Sequence, residues 1–289
     1  MLKVSYRCSY YVVRRLLPLV AVAVPLLLSG CSTDEPHSRN SESASVKVLE
    51  YCPAMGQFVN LLPPYSEGDT YADICHKAEV SLSSGGIITL GGFGGYVTMS
   101  LGQHIENRPG ERDFCIRGNA FLQQGSEEYG NSEPGIVLVS VDENNNGLPD
   151  DEWYELAGSE YYKPETRHHY RKVWHKNDST LNNPYHTQPY FPLWLSDSVI
   201  VAEGTCLASH KDNVQGMIVQ RVLDYGYVDN RPNTDTLGIA FDLDWAVDDN
   251  GEKVSLTYCD FVRVQTAVDE VNTGIGELST EVGNMFIFE

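Results

Sequence analysis

The chain has 289 residues, 42% of them hydrophobic, which is enough for one large or two modest globular domains and too apolar for disorder throughout. Lys and Arg number 20 against 40 Asp and Glu, a net charge of −20, so a phosphate backbone would be repelled and nucleic acid is excluded as a partner. Gly (25) and Pro (14) stand at ordinary abundance, which excludes collagen-like and low-complexity architectures.

Residues 1–30 carry Lys3, Arg7, Arg14 and Arg15, no acid, and then an apolar run over 16–28. A charged head followed by a short apolar stretch reads as a secretory signal, and Pro18 and Pro25 argue against a spanning helix. The run ends in Leu28, Ser29, Gly30 and Cys31, which resembles the bacterial lipobox, so Cys31 is expected to be the lipidated N-terminus after cleavage. Removing the four basic residues of the signal from the 20 leaves 16 against 40 acids, a net charge of −24. Residues 31–46 lack apolar periodicity and read as a flexible tether. Asp34 and Glu35, close behind the anchor, resemble the surface-export signal of lipoproteins of the Bacteroides group, which implies the outer face of the outer membrane.

From 47 to 289 the chain reads as a single domain of strands and turns. A helix is predicted over 70–82, where Asp69 and Thr70 offer capping oxygens and Ala72, Cys75, Ala78 and Leu82 recur at helical spacing. Strands are predicted at 86–90, 96–101, 135–141, 153–157, 217–223, 237–243, 261–266 and 285–288. One short helix among many strands predicts a mostly-β fold, a sandwich. The glycine-rich run 91–95 lacks the Lys and the following helix of a phosphate loop and reads as a tight connection or bulge, with Phe93 packed inward or against a ligand. Outside Cys8 and Cys31, the cysteines are Cys52, Cys75, Cys115, Cys206 and Cys259. No C-x-x-C occurs among them, which argues against a zinc ribbon. One or two disulfides are open, as is the alternative that Cys115 and Cys259 are small buried hydrophobes on strands.

The strongest chemical motif is 142–152. Asp142, Asn144, Asn146 and Asp150 fall at positions 1, 3, 5 and 9 of a loop with Gly147 at position 6, the spacing with which alternate residues converge on calcium. The candidate ligand set is Asp142, Asn144, Asn146, Leu148, Asp150, Asp151 and Glu152. Trp153 stands where an EF-hand places its bidentate Glu, and strands rather than helices flank the loop. It therefore resembles the calcium-binding hairpin loops of extracellular modules. A second oxygen-rich run, 229–235, could hold an ion or cap a turn, and the turn is the preferred reading.

Signatures of catalysis are missing: no G-x-S-x-G, no H-E-x-x-H and no Walker loop. Strand alternation over 166–175 puts His169 and His175 on one face about 20 Å apart, too far to share a metal, so the segment reads as a surface strand. Acid pairs such as Glu127/Glu133 and Asp242/Asp244 are expected by abundance alone. The 17 Tyr and 4 Trp exceed what a core this size must bury, and candidate ligand platforms are Phe93, Tyr190, Trp194, Tyr225 and Tyr227.

The segments 50–60, 90–96, 132–137, 150–159, 188–194, 225–230 and 241–248 together resemble a family of Bacteroides-group cell-surface lipoproteins of poorly defined function. The likeness spans nearly all of 47–289, departing at 272–277, where the relatives are more aromatic. It implies a jelly-roll-like β-sandwich and genes among outer-membrane uptake loci, some for cobalamin and other corrinoids, and it supports the acidic loop as a shared feature. It transfers no catalytic residue. The leading expectation is a nonenzymatic surface protein capturing a small molecule, a glycan or a corrinoid, for an outer-membrane transporter. A glycan-active hydrolase and a structural or adhesive surface protein are the alternatives.

Overall fold

The computed structural model describes residues 46–178, 188–214, 216–272 and 276–288. Cys31, the signal at 1–30 and residues 31–45 of the tether lie outside the described residues. The described chain is mostly β, with several antiparallel sheets and one α-helix, consistent with the β-sandwich expected.

Eight strands frame the site: β1 (Lys47–Cys52), β2 (Tyr96–Glu106), β3 (Gly135–Ser140), β4 (Trp153–Leu156), β5 (Arg167–His175), β6 (Val199–Cys206), β7 (Ala246–Val247) and β8 (Tyr258–Thr266). Side by side, β1, β2, β8, β3, β4 and β7 make a six-stranded antiparallel sheet, while β5 and β6 pair as a hairpin of their own. Shorter sheets complete the body, among them Ala240–Phe241 with Phe114–Ile116 and Met285–Ile287, and Glu281–Val282 with Ile88–Thr89. The apolar run at 237–243 yields only two strand residues, because the Asp242 carboxylate accepts the Asp244 N–H at 2.8 Å and turns the chain into the 3-10 helix Leu243–Trp245.

Side-chain alternation divides the two faces of the main sheet. Val97, Met99, Val262, Val264, Val137 and Val139 point into the principal core, against the helix Tyr71–Ser83 (α1). Helix α1 starts where the sequence predicts: Thr70 accepts the Asp73 N–H at 3.3 Å while Asp73 accepts the Thr70 N–H at 2.8 Å, a reciprocal cap with Asp in the usual place of Glu. Its buried stripe is Ile74, Cys75, Ala78 and Leu82.

The opposite face is polar. Cross-strand register aligns Glu50, Thr98, Arg263, Leu138, Glu155 and Val247 in one row across all six strands. The β5–β6 hairpin lies beside this face and is built into the body by its own cluster, in which Trp174 and Ala202 pack with Met55 and Phe93. The glycine run is the tight connection expected. A Cβ on Gly92 would meet the Trp174 ring at 2.8 Å, and one on Gly94, at φ +81°, would overlap the Ala202 methyl. All five cysteines are free thiols. Cys115 and Cys259 are buried on strands as small hydrophobes, Cys75 is buried on α1, and no disulfide forms among the described residues.

Candidate functional site

The polar row of the sheet and the edge of the hairpin enclose a cleft of about 200 Å³. It continues into a second hollow of about 380 Å³ that shares Tyr161, His168, His169 and Asp249. On the sheet side, the Arg263 guanidinium lies over the rings of Trp153 (4.1 Å) and Tyr96 (4.6 Å). Arg263 also donates to Glu50 Oε2 at 2.8 Å and to Thr98 Oγ1 at 2.9 Å, so its plane is fixed and Trp153 is held against it. Glu203, Asp248 and Asp249 add carboxylates along the rim, and Gln265 donates to the Glu203 carbonyl at 2.9 Å, joining sheet to hairpin.

Two adjacent histidines reach this cleft because the hairpin departs from regular alternation. Gly204 pairs with Tyr170 but Cys206 pairs with Arg167, so the β5 side of the ladder carries an extra residue, and His169 adopts φ +53°. A bulge of this kind re-aims side chains, and a non-glycine residue in the left-handed region is held there by its surroundings. The strand is largely exposed, as the surface-strand reading expects, but the bulge breaks its regular alternation, and His168 and His169 both line the cleft. Only one signal could have suggested this, that His is enriched among non-glycine residues tolerating positive φ.

At the floor, Thr205 Oγ1 donates to Glu155 Oε2 at 2.6 Å, and the same hydroxyl lies 3.3 Å from His168 Nδ1. His168 Nε2 lies 3.1 Å from the Tyr161 carbonyl, an acceptor only, so this nitrogen carries a proton. A hydroxyl has a single hydrogen to give. With Glu155 ionised, Thr205 donates its one hydrogen to the carboxylate. With Glu155 protonated, the carboxyl can donate to the Thr205 hydroxyl instead. Burial raises the Glu155 pKa to about 7, opposed by the Thr205 hydrogen bond, so both states are accessible near neutrality. His169 Nδ1 lies 3.6 Å from Asp249 Oδ1 at the rim.

The acidic loop is the β3–β4 hairpin connection, as the flanking strands predict. Asp142 accepts from the Asn146 and Gly147 N–H groups at 3.0 and 2.8 Å, Asn144 accepts from Asn146 N–H at 3.0 Å, and Asn146 accepts from Leu148 N–H at 2.7 Å. The Asn146 amide donates to both Asp150 oxygens at 3.0–3.1 Å, and the Asn144 amide faces Asp150 and Asp151 at 3.3–3.4 Å. Asn144 and Asn146 thus turn their amide nitrogens toward Asp150 and Asp151, while the oxygens of Asp142, Asn144 and Asn146 accept from the loop's own backbone, with Gly147 at φ +73° making the turn. Glu152 instead accepts from the Tyr154 hydroxyl at 3.0 Å. Leu148 is exposed.

The predicted aromatic platforms separate into core and surface. Phe93 is fully buried, edge-on to Tyr170 at 5.1 Å, with its carbonyl accepting from the Trp174 indole at 3.0 Å. Tyr227 is buried with its hydroxyl accepting the Glu160 N–H at 2.9 Å, and Tyr190 is buried in the cluster that holds Phe93. These three are core residues rather than ligand platforms. Trp194 is half-buried, 6.0 Å from the Tyr51 ring, and lines a separate pocket of about 260 Å³ with Tyr71, Tyr96 and Val201. Tyr225 is exposed and rests on Trp245 at 4.9 Å. None of the five lines the polar cleft, where Trp153 and Tyr161 stand instead.

A scan of the chain against protein-family models finds no match, and a search of curated proteins finds no relative.

Proposed function

We propose that this chain is a lipid-anchored surface protein that captures a glycan in the cleft between the main sheet and the β5–β6 hairpin, for delivery to an outer-membrane transporter. The observation that carries the reading is the Trp153–Arg263 platform set among Glu155, Glu203 and Asp248: a flat face for a sugar ring with charged acceptors and donors for its hydroxyls. Pockets for drug-sized ligands run to about 300–1,000 Å³, so hollows of 200 and 380 Å³ suit one or two sugar rings and not a corrin macrocycle. The anchor rests on the lipobox resemblance at Cys31. Calorimetry against a polysaccharide panel tests the reading: a binding glycan is expected, and Trp153→Ala is expected to weaken it tenfold or more, the scale of an aromatic hot spot. Absence of binding across the panel would remove the proposal.

A hydrolase is the second reading, favoured by the Glu155–Thr205–His168 chain, which can hold or release a proton near pH 7 beside a bound ring. Release of reducing ends from the bound glycan separates hydrolysis from capture.

Calcium belongs to the same proposal as a structural ion in the loop 142–151, ordering the hairpin that carries Trp153 and Glu155. Affinity in the range of extracellular modules, about 10⁻⁴–10⁻³ M, is expected, and Asp142→Ala is expected to abolish that binding event in a calcium titration.

A further inference from the structure

Away from the cleft, three segments distant in sequence bring Glu133, Asp229 and Glu281 together, with one carboxylate oxygen from each lying within 4.8 Å of the others. Asp229 is fully enclosed at φ +57°, its Oδ1 accepting the Asn119 and Ala120 N–H groups at 2.6 and 2.8 Å and its Oδ2 the Glu281 N–H at 2.9 Å. Glu281 Oε1 accepts from the hydroxyls of Thr89 (2.9 Å) and Ser279 (2.8 Å). No Lys, Arg or His pairs with any of the three among the described residues.

A second observation points into the same place. Glu133 and Glu281 line a cavity of about 300 Å³ whose wall also includes Glu277. Glu277 is only 2% exposed. Its Oε1 accepts the Gln57 N–H at 2.6 Å, while Oε2 has no hydrogen-bond partner among the described residues. Burying a carboxylate oxygen without a partner costs several kcal/mol. Three carboxyl groups, of Glu133, Glu277 and Glu281, line this cavity, with the enclosed Asp229 bonded to the Glu281 N–H beside it, and together they call for protons or for a cation.

We propose that this cavity is a divalent-cation site, with Glu133, Asp229 and Glu281 as ligands and Glu277 supplying the charge that faces the ion. Two oxygens bound to one calcium ion stand at most about 4.8 Å apart, twice a bond of about 2.4 Å, and the three oxygens lie within that limit. All the groups offered are hard oxygens, which select calcium or magnesium over softer metals. Asn119, exposed on the cavity wall, marks the side from which the ion enters. The ion would fasten the strand Glu281–Val282 to the loop around Asp229 and to the lead-in of β3. The proposal stands independently of the glycan reading.

The test uses the full chain carrying Asp142→Ala and Asp150→Ala, which silence the acidic loop. After chelation and repletion with calcium, elemental analysis is expected to find about one ion per chain, and the melting temperature is expected to rise with calcium concentration. On that background Glu281→Gln is expected to weaken calcium affinity tenfold or more, and Glu277→Gln severalfold. Should the Glu281 variant fail to fold, crystals of the loop-silenced parent grown with manganese decide: an anomalous peak among Glu133, Asp229 and Glu281 supports the site. No ion taken up at millimolar calcium or manganese, or unchanged affinity in Glu281→Gln, would overturn it and leave the cluster held by protons.

Discussion

Glu155→Gln is expected to leave the protein about as stable as the parent at pH 4 and more stable by about 2–3 kcal/mol at pH 8.5. The sign follows from linkage. Below its ordinary pKa of 4.5 the Glu155 carboxyl is protonated in both folded and unfolded chains, so the native state loses nothing there. Between 4.5 and about 7 the unfolded chain ionises freely while the folded one resists, and stability falls as pH rises through that window. Each tenfold change in proton affinity is worth about 1.4 kcal/mol, and water in the cleft reduces the full figure somewhat. Gln presents the same shape and never ionises. Denaturant melts of both proteins across pH 4–8.5 give the difference, in which the other titrating carboxyl groups cancel. A constant offset between the two curves would contradict the assignment of Glu155. The same variant is expected to flatten the pH dependence of glycan binding around neutrality.

The largest effect on folding is expected from Gly95→Ala. A methyl there would overlap the Leu90 carbonyl oxygen and crowd the Ala54 backbone N–H. Both neighbours are main chain: Ala54 N–H donates to Leu90 O at 2.9 Å, and Gly95 O accepts the Thr266 N–H at 3.0 Å, so relief requires moving the start of β2 away from β8. A loss of about 4 kcal/mol or more is expected, in the range reserved for broken cores and strained backbones, measured as the shift in urea midpoint at constant slope. A loss under 1 kcal/mol would mean that the connection yields easily.

Helix α1 was legible to within a residue at each end, because its start signal is local: a capping pair three residues apart followed by a 3.6-residue stripe. Strands such as Gly135–Ser140 were legible from their β-branched runs between turn residues. The hairpin form of the acidic loop was legible because Gly147 fixes the turn. The histidines of the cleft were not, since a bulge reverses alternation and leaves no mark in a pattern of period two. Asp229, read as part of a turn, proves to be enclosed by Asn119, Ala120 and Glu281, all far from it in sequence. Phe93 takes the inward of the two placements its glycine run offered, while Tyr227 was misread: whether a ring beside glycine faces solvent depends on what tertiary packing lays over it.

The seating of the hairpin has a kinetic meaning. Trp174 rests on Gly92 and Ala202 on Gly94, so the wall that carries His168, His169 and Thr205 is continuous with the interior. Such a wall cannot swing like a jaw. On the proposed reading the cleft is a socket of fixed bore, preorganised before a ligand arrives, with selectivity set by what passes the mouth and not by closure around a guest. Capture should then proceed as a single step whose rate scales with ligand concentration without saturating.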